Sequence, residues 1–162
     1  MASGQRIRGA TLLEVLVAMS LVTVVAAIVW QAGSLTARLR VRAAATALVS
    51  DLRAAQALAM AERRSGRAHG LQFEPGSDRY FIVVRDDSTT TQSRLRRLPD
   101  GVRVTYARFG GAVPTAALFN GVSLFGAPSG GGTVTLANGQ ARWCVRLLPA
   151  TGRIRVAAVG CP

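Results

Sequence analysis

The sequence contains no lysine. All 20 basic residues are arginine, set against 8 acids for a formal net charge of +12. Without lysine there is no GxxxxGK phosphate loop, no Schiff-base lysine and no kinase-type lysine. Histidine and cysteine are nearly as scarce. His69, Cys144 and Cys161 are too few for the three or four nitrogen and sulfur ligands of a zinc site. Ser129, within Gly126-Ala127-Pro128-Ser129-Gly130, stands one position off a G-x-S-x-G nucleophile elbow and reads as part of a turn. Proline is absent before Pro75, and acids are absent after Asp100. These gaps leave few candidate acids, bases or nucleophiles. The sequence predicts no enzyme, no catalytic residue, no metal site and no cofactor.

What remains fits one domain and an anchor, since the chain is 162 residues long and domains usually take about 100 to 150. From Ala10 to Trp30 the sequence is apolar apart from Glu14 and a few hydroxyl residues, close to the roughly 20 residues a helix needs to cross a bilayer. A secretory signal peptide would have a shorter apolar core followed by a small-x-small cleavage site. A plain signal anchor gives no reason for Glu14, whose burial in lipid costs about 2.5 to 3.5 kcal/mol. A carboxylate kept at that cost marks a function.

The stretch Gly9, Ala10, Thr11, Leu12, Leu13, Glu14, Val15, Leu16, Val17 resembles the prepilin peptidase site of type IV pilins and pseudopilins. The resemblance implies a basic leader with Arg6 and Arg8, cleavage between Gly9 and Ala10 by a membrane peptidase, and N-methylation of Ala10. It also implies that Glu14 serves filament assembly. In a filament Glu14 would meet the amino terminus of a neighbouring subunit, which supplies the partner a buried charge needs. Arginine counts on the two sides of the span are indecisive. The leader motif sets the N-terminus in the cytoplasm and the C-terminal domain in the periplasm, with inner-membrane lipid around the span.

Beyond Trp30, Val41, Ala45, Leu48, Leu52, Ala55 and Ala59 recur at helical spacing, predicting a helix from about Thr11 to Arg64 with Gly66 as its stop. Short runs of β character follow: 71–73, 80–84, 102–109, 122–125, 133–136, 141–148 and 154–159. Pro75 to Asp78 closes a hairpin, Asn138-Gly139 has the composition of a type I′ turn, and Asp87 to Ser93 reads as a polar loop. The predicted class is α+β, one long helix packed on an antiparallel sheet. The domains are a leader (1–9), a transmembrane helix (10–30), a helix extension (31–66) and a β-rich domain (67–162). Residues 38–156 resemble the GspH/FimT family of minor pseudopilins and minor pilins through the helix ending near Arg63, Leu98-Pro99-Asp100-Gly101-Val102, Leu124-Phe125 and Gly152-Arg153-Ile154-Arg155. That last GRxR signature resembles the DNA-binding motif of the family's transformation-linked members.

After Gly101 there are six arginines: Arg103, Arg108, Arg142, Arg146, Arg153 and Arg155. If 141–148 and 153–159 pair as a hairpin, Arg146 faces Arg155. Arg142, Arg146, Arg153 and Arg155 then share one face, while Trp143, Val145, Leu147, Ile154 and Val156 take the other. Opposed like charges repel, and an external polyphosphate would relieve them, so double-stranded DNA is the leading partner. A solvated basic face, with salt bridges to Asp86 or Asp87, and anionic lipid stay open as alternatives. Cys144 and Cys161 would lie in an oxidising compartment, and a disulfide is the natural reading. The hairpin register sets Cys161 against Gln140, so the strand must end near Gly160 and fold back for the sulfurs to meet. Two functions follow. One is a DNA-binding minor pilin serving DNA uptake in natural transformation, and the other is an H-type pseudopilin acting in a type II secretion system by assembly contacts alone.

Overall fold

The computed structural model describes residues 12–63, 66–122 and 126–162. A single helix, α1 (Leu12–Glu62), is followed by eight strands: β1 (Arg67–Phe73), β2 (Arg79–Asp86), β3 (Thr89–Arg97), β4 (Arg103–Phe109), β5 (Ala116–Asn120), β6 (Gly132–Ala137), β7 (Arg142–Leu147) and β8 (Ile154–Ala157). Two compact units are distinguished, Met1–Thr36 and Ala37–Pro162. In the first, the described residues are helical and their large apolar side chains, from Leu12 to Leu35, are exposed. α1 is long and apolar enough there to cross a membrane, and water would not tolerate that surface uncovered.

In the second unit the helical stripe read from the sequence is the core. Val41, Ala45, Leu48, Leu52, Ala55 and Ala59 are all buried, in one cluster with Leu71, Phe73, Phe119, Val104, Leu136 and Val145 from the strands. The strands form two antiparallel sheets, ordered β3-β2-β1-β5 and β4-β6-β7-β8, where one sheet was expected. Each sheet turns one row of apolar residues into the core cluster that holds the helical stripe.

Four local readings are corrected. The Asp87 to Ser93 loop is a turn at Asp87, with φ of 50°, leading into β3; its residues are exposed on both sides of an edge strand, so no burial pattern signals it. β5 was missed because Ala116 to Leu118 are consecutively buried and show no alternation. Of the run expected at 122–125, Val122 lies in a turn and the rest falls outside the described residues. Asn138-Gly139 is not a type I′ turn, since only Gly139 has a positive φ. Asn138 instead accepts hydrogen bonds on Oδ1 from the Gln140 and Ala141 amides and donates from Nδ2 to the Ala37 carbonyl at 2.7 Å.

Tyr80 ties β2 to α1. Its buried hydroxyl donates to Asp51 Oδ2 at 2.7 Å, and Arg96 Nε lies 3.3 Å from the same oxygen. Burial, then the bond to Asp51, pushes the phenol above its usual range. The folded state therefore keeps a proton that the unfolded chain releases near pH 10, so this contribution to stability is complete below pH 10 and falls above it. Urea midpoints of the wild type should drop between about pH 10 and pH 11, and Tyr80→Phe should flatten that drop. At neutral pH the same variant should cost about 1.5 to 3 kcal/mol through the lost bond to a carboxylate.

Candidate nucleic-acid interface

β7 and β8 pair in the expected register, with Arg146 opposite Arg155 and Leu147 opposite Ile154. Val145 and Leu147 point into the core, Ile154 is half-buried, and Arg142, Arg146, Arg153 and Arg155 are exposed. Val156 departs from the reading: it is 40% exposed, because β8 is the outer strand of its sheet. The connection between the strands is held at Gly152, which is buried, has a φ of 63° and donates its amide to the Leu148 carbonyl at 3.0 Å. A Cβ there would stand 2.6 Å from Gln56 Nε2. The glycine of the GRxR signature thus lets the turn lie against α1, and the two arginines that follow emerge on the outer side.

Among the described residues, the ion pairs join Glu62 with Arg67, Asp86 with Arg67, Glu74 with Arg79, and Asp51 with Arg96, while His69 shares a hydrogen bond with Glu62. None involves Arg142, Arg146, Arg153 or Arg155. The suggested tie to Asp86 is not made, since that carboxylate pairs with Arg67 in the other sheet. Arg146 donates instead to the carbonyl of Gly160.

Cys144 and Cys161 form a disulfide with their Cα atoms 5.5 Å apart. The fold-back that the register demanded is present: β8 stops at Ala157, and Gly160 turns the tail with a φ of 72°. The bridge closes a loop with a sequence separation of 17, worth about 3 kcal/mol on the chain-entropy account. Cys144 alternates with Trp143 and Val145, so the bridge sits on the arginine side, between Arg142 and Arg146. Glu14 lies exposed in the first turn of α1. Gly9 and Ala10 fall outside the described residues, as do Arg6, Arg8, Arg64, Leu124 and Phe125.

Residues 4–30 match the prokaryotic N-terminal methylation motif. The fold matches the minor pseudopilin EpsH from the Type 2 Secretion System of Vibrio cholerae with a TM-score of 0.55 and 17% identity, over 75% of this chain and 99% of that one. The fold is thus shared with a minor pseudopilin, and the N-terminal segment carries a methylation motif. No curated protein matches this pilin-like chain in sequence. Two features of its arginine face were beyond sequence reasoning: the carbonyl that Gly160 offers Arg146, and the helix that Gly152 must clear. The glycines at 152 and 160 were the only hint in the sequence, because glycine alone freely adopts the positive φ that both show.

Proposed function

We propose that the chain is a minor subunit of a type IV pilus or type II secretion filament that binds double-stranded DNA through Arg142, Arg146, Arg153 and Arg155. Its leader would be removed after Gly9 by the prepilin peptidase and Ala10 methylated. The apolar helix would hold the subunit in the inner membrane, with its domain in the periplasm, until Glu14 meets a neighbour's amino terminus in the filament. DNA uptake in natural transformation is the role this binding serves. The observation that carries the DNA reading is the exposure of four arginines on one face of a hairpin, with Arg146 directly opposite Arg155 and, among the described residues, no carboxylate paired to any of them. Guanidinium forks bind phosphate bidentately, and phosphates would screen the repulsion between opposed strands.

The test is salt dependence. For the full chain in neutral detergent with a labelled 30-base-pair duplex, the log–log slope of affinity against salt should be about −3.6 or steeper, from −0.9 per phosphate contact. Arg153→Gln with Arg155→Gln should make it shallower by about 1.8 and weaken all duplex sequences alike. Arg94→Gln with Arg97→Gln changes net charge equally on exposed positions of β3 and should leave the slope unmoved. Equal effects of the two pairs would mean diffuse attraction without a site.

A second reading is an H-type pseudopilin that acts only by assembly, favoured by the fold match to a type II secretion subunit. A wild-type chain that fails to retain the duplex at low salt would establish it over the first.

A further inference from the structure

We infer that the DNA surface is not confined to the β7–β8 hairpin but spans the outer face of the whole β4-β6-β7-β8 sheet, with Arg103 and Arg108 as further phosphate contacts. This rests on the DNA reading above and extends its site.

The inference comes from the register. In β4, Val104 and Phe109 are buried in the core, as are Val134 and Leu136 in β6 and Val145 and Leu147 in β7. Alternation therefore turns their neighbours outward. Arg108 is opposite Thr133, Thr133 opposite Arg146, and Arg146 opposite Arg155. These four residues form one line across four strands. A second line runs through Arg103, Ala137 and Arg142. All six arginines that follow Gly101 thus emerge on one face, five of them from three strands and Arg153 from the turn before β8. Arg103 and Arg108 are exposed and make no ion pair among the described residues. Asp78 and Asp100 share a surface cleft with Arg103 but stand beyond ion-pairing distance of it. β4, β6, β7 and β8 contain no acid.

The spacing suits a duplex. At about 4.8 Å between strands, the first line is roughly 14 Å long. Arg142 and Arg146, four residues apart on one strand, set the two lines about 13 Å from each other. The major groove of B-DNA is about 12 Å wide between its backbones, so each line can lie along one phosphate strand. The ground between the lines is uncharged and closed: Thr135 and Cys144 are fully buried, Cys144 under its bridge to Cys161, with half-buried Tyr106 and Ala157 beside them in register. A single strand would call for a row of stacking aromatics. This face offers only half-buried Tyr106, since Trp143 packs on the core with Arg42 5.9 Å from its ring centroid.

The decisive comparison uses the full chain in neutral detergent and the same 30-base-pair duplex, with Arg103→Gln plus Arg108→Gln set beside Arg153→Gln plus Arg155→Gln. Each pair should lower affinity roughly 60-fold at about 0.1 M salt and make the slope about 1.8 shallower, from a wild-type value near −5.4. Arg103→Lys with Arg108→Lys keeps both charges and should keep the slope, which separates lost contacts from damaged folding. If only the hairpin pair moves the slope, the surface ends at β7 and the inference fails while the DNA reading stands. If neither pair moves it, both fail. A 30-base single strand that binds as tightly as the duplex would overturn the two-line geometry.

Discussion

Gly70→Val is expected to abolish the cooperative unfolding transition of the domain. Gly70 lies in β1, between Val83 of β2 and Leu118 of β5. A Cβ on it would be driven into the Ala117 carbonyl and would stand 2.9 Å from the Leu118 Cα, both backbone groups with no rotamer to yield. The only relief is to part β1 from β5. That withdraws Ala117 and Phe119, both fully buried, from the core they share with α1. Overpacking a core costs about 1 to 3 kcal/mol when side chains can adjust; here it displaces a strand carrying a phenylalanine whose loss alone is worth about 3 to 5. Against a total stability of about 5 to 15 kcal/mol, little is left. Urea titration followed by tryptophan fluorescence checks this. Gly110→Ala is the control, because its Cβ would meet nothing nearer than the Gly131 oxygen at 3.6 Å, and its midpoint should match the wild type. A Gly70→Val transition as steep and as late as the wild type's would refute the packing account.

The second large effect is on processing. Gly9→Val should leave the leader attached, so that mass spectrometry of the membrane fraction finds Met1 to Pro162 in place of a chain starting at N-methylated Ala10. A β-branched side chain beside the scissile bond stiffens the backbone and adds bulk where the motif places glycine. The consequence reaches beyond the cut. The retained leader holds Arg6 and Arg8 ahead of the apolar run, and drawing either into the bilayer centre costs about 2.5 to 3.5 kcal/mol. The precursor should therefore stay membrane-inserted and absent from sheared filaments. The proposed partner of Glu14, a free amino terminus at position 10, would also never form. Recovery of filaments whose subunits begin at Met1 would remove the pilin-type mechanism altogether.

Legibility in the sequence followed how local each signal was. The buried stripe of α1 could be read because its spacing is a property of the helix itself, and every residue named from Val41 to Ala59 is in the core. The β7–β8 pairing was equally readable, since one short turn fixes it. β3 was hidden because an edge strand exposed along its length carries no apolar alternation, and only its β-branched Thr89, Thr90 and Thr91 hinted at a strand. β5 was hidden for the opposite reason, burial on both faces. The arginine face was half legible. Its hairpin members follow from local register, but Arg103 and Arg108 join them through the pairing of β4 with β6. Twenty or more residues and the whole of β5 separate those strands, and no periodicity in the chain announces such a pairing.

The exposure of β3 bears on how copies of this domain meet. β3 is an outer strand of its sheet, so one side of its backbone presents amide and carbonyl groups to any second strand that arrives. Arg94 and Arg97 project from exposed positions at one end of it, and half-buried Arg96 lies between them. Two copies zipping together along this strand would have to press cations against cations, which natural sheets use to discourage unwanted growth. The uncharged end, Thr89 to Thr91, has no such guard, and it is where edge-to-edge aggregation of concentrated protein would begin.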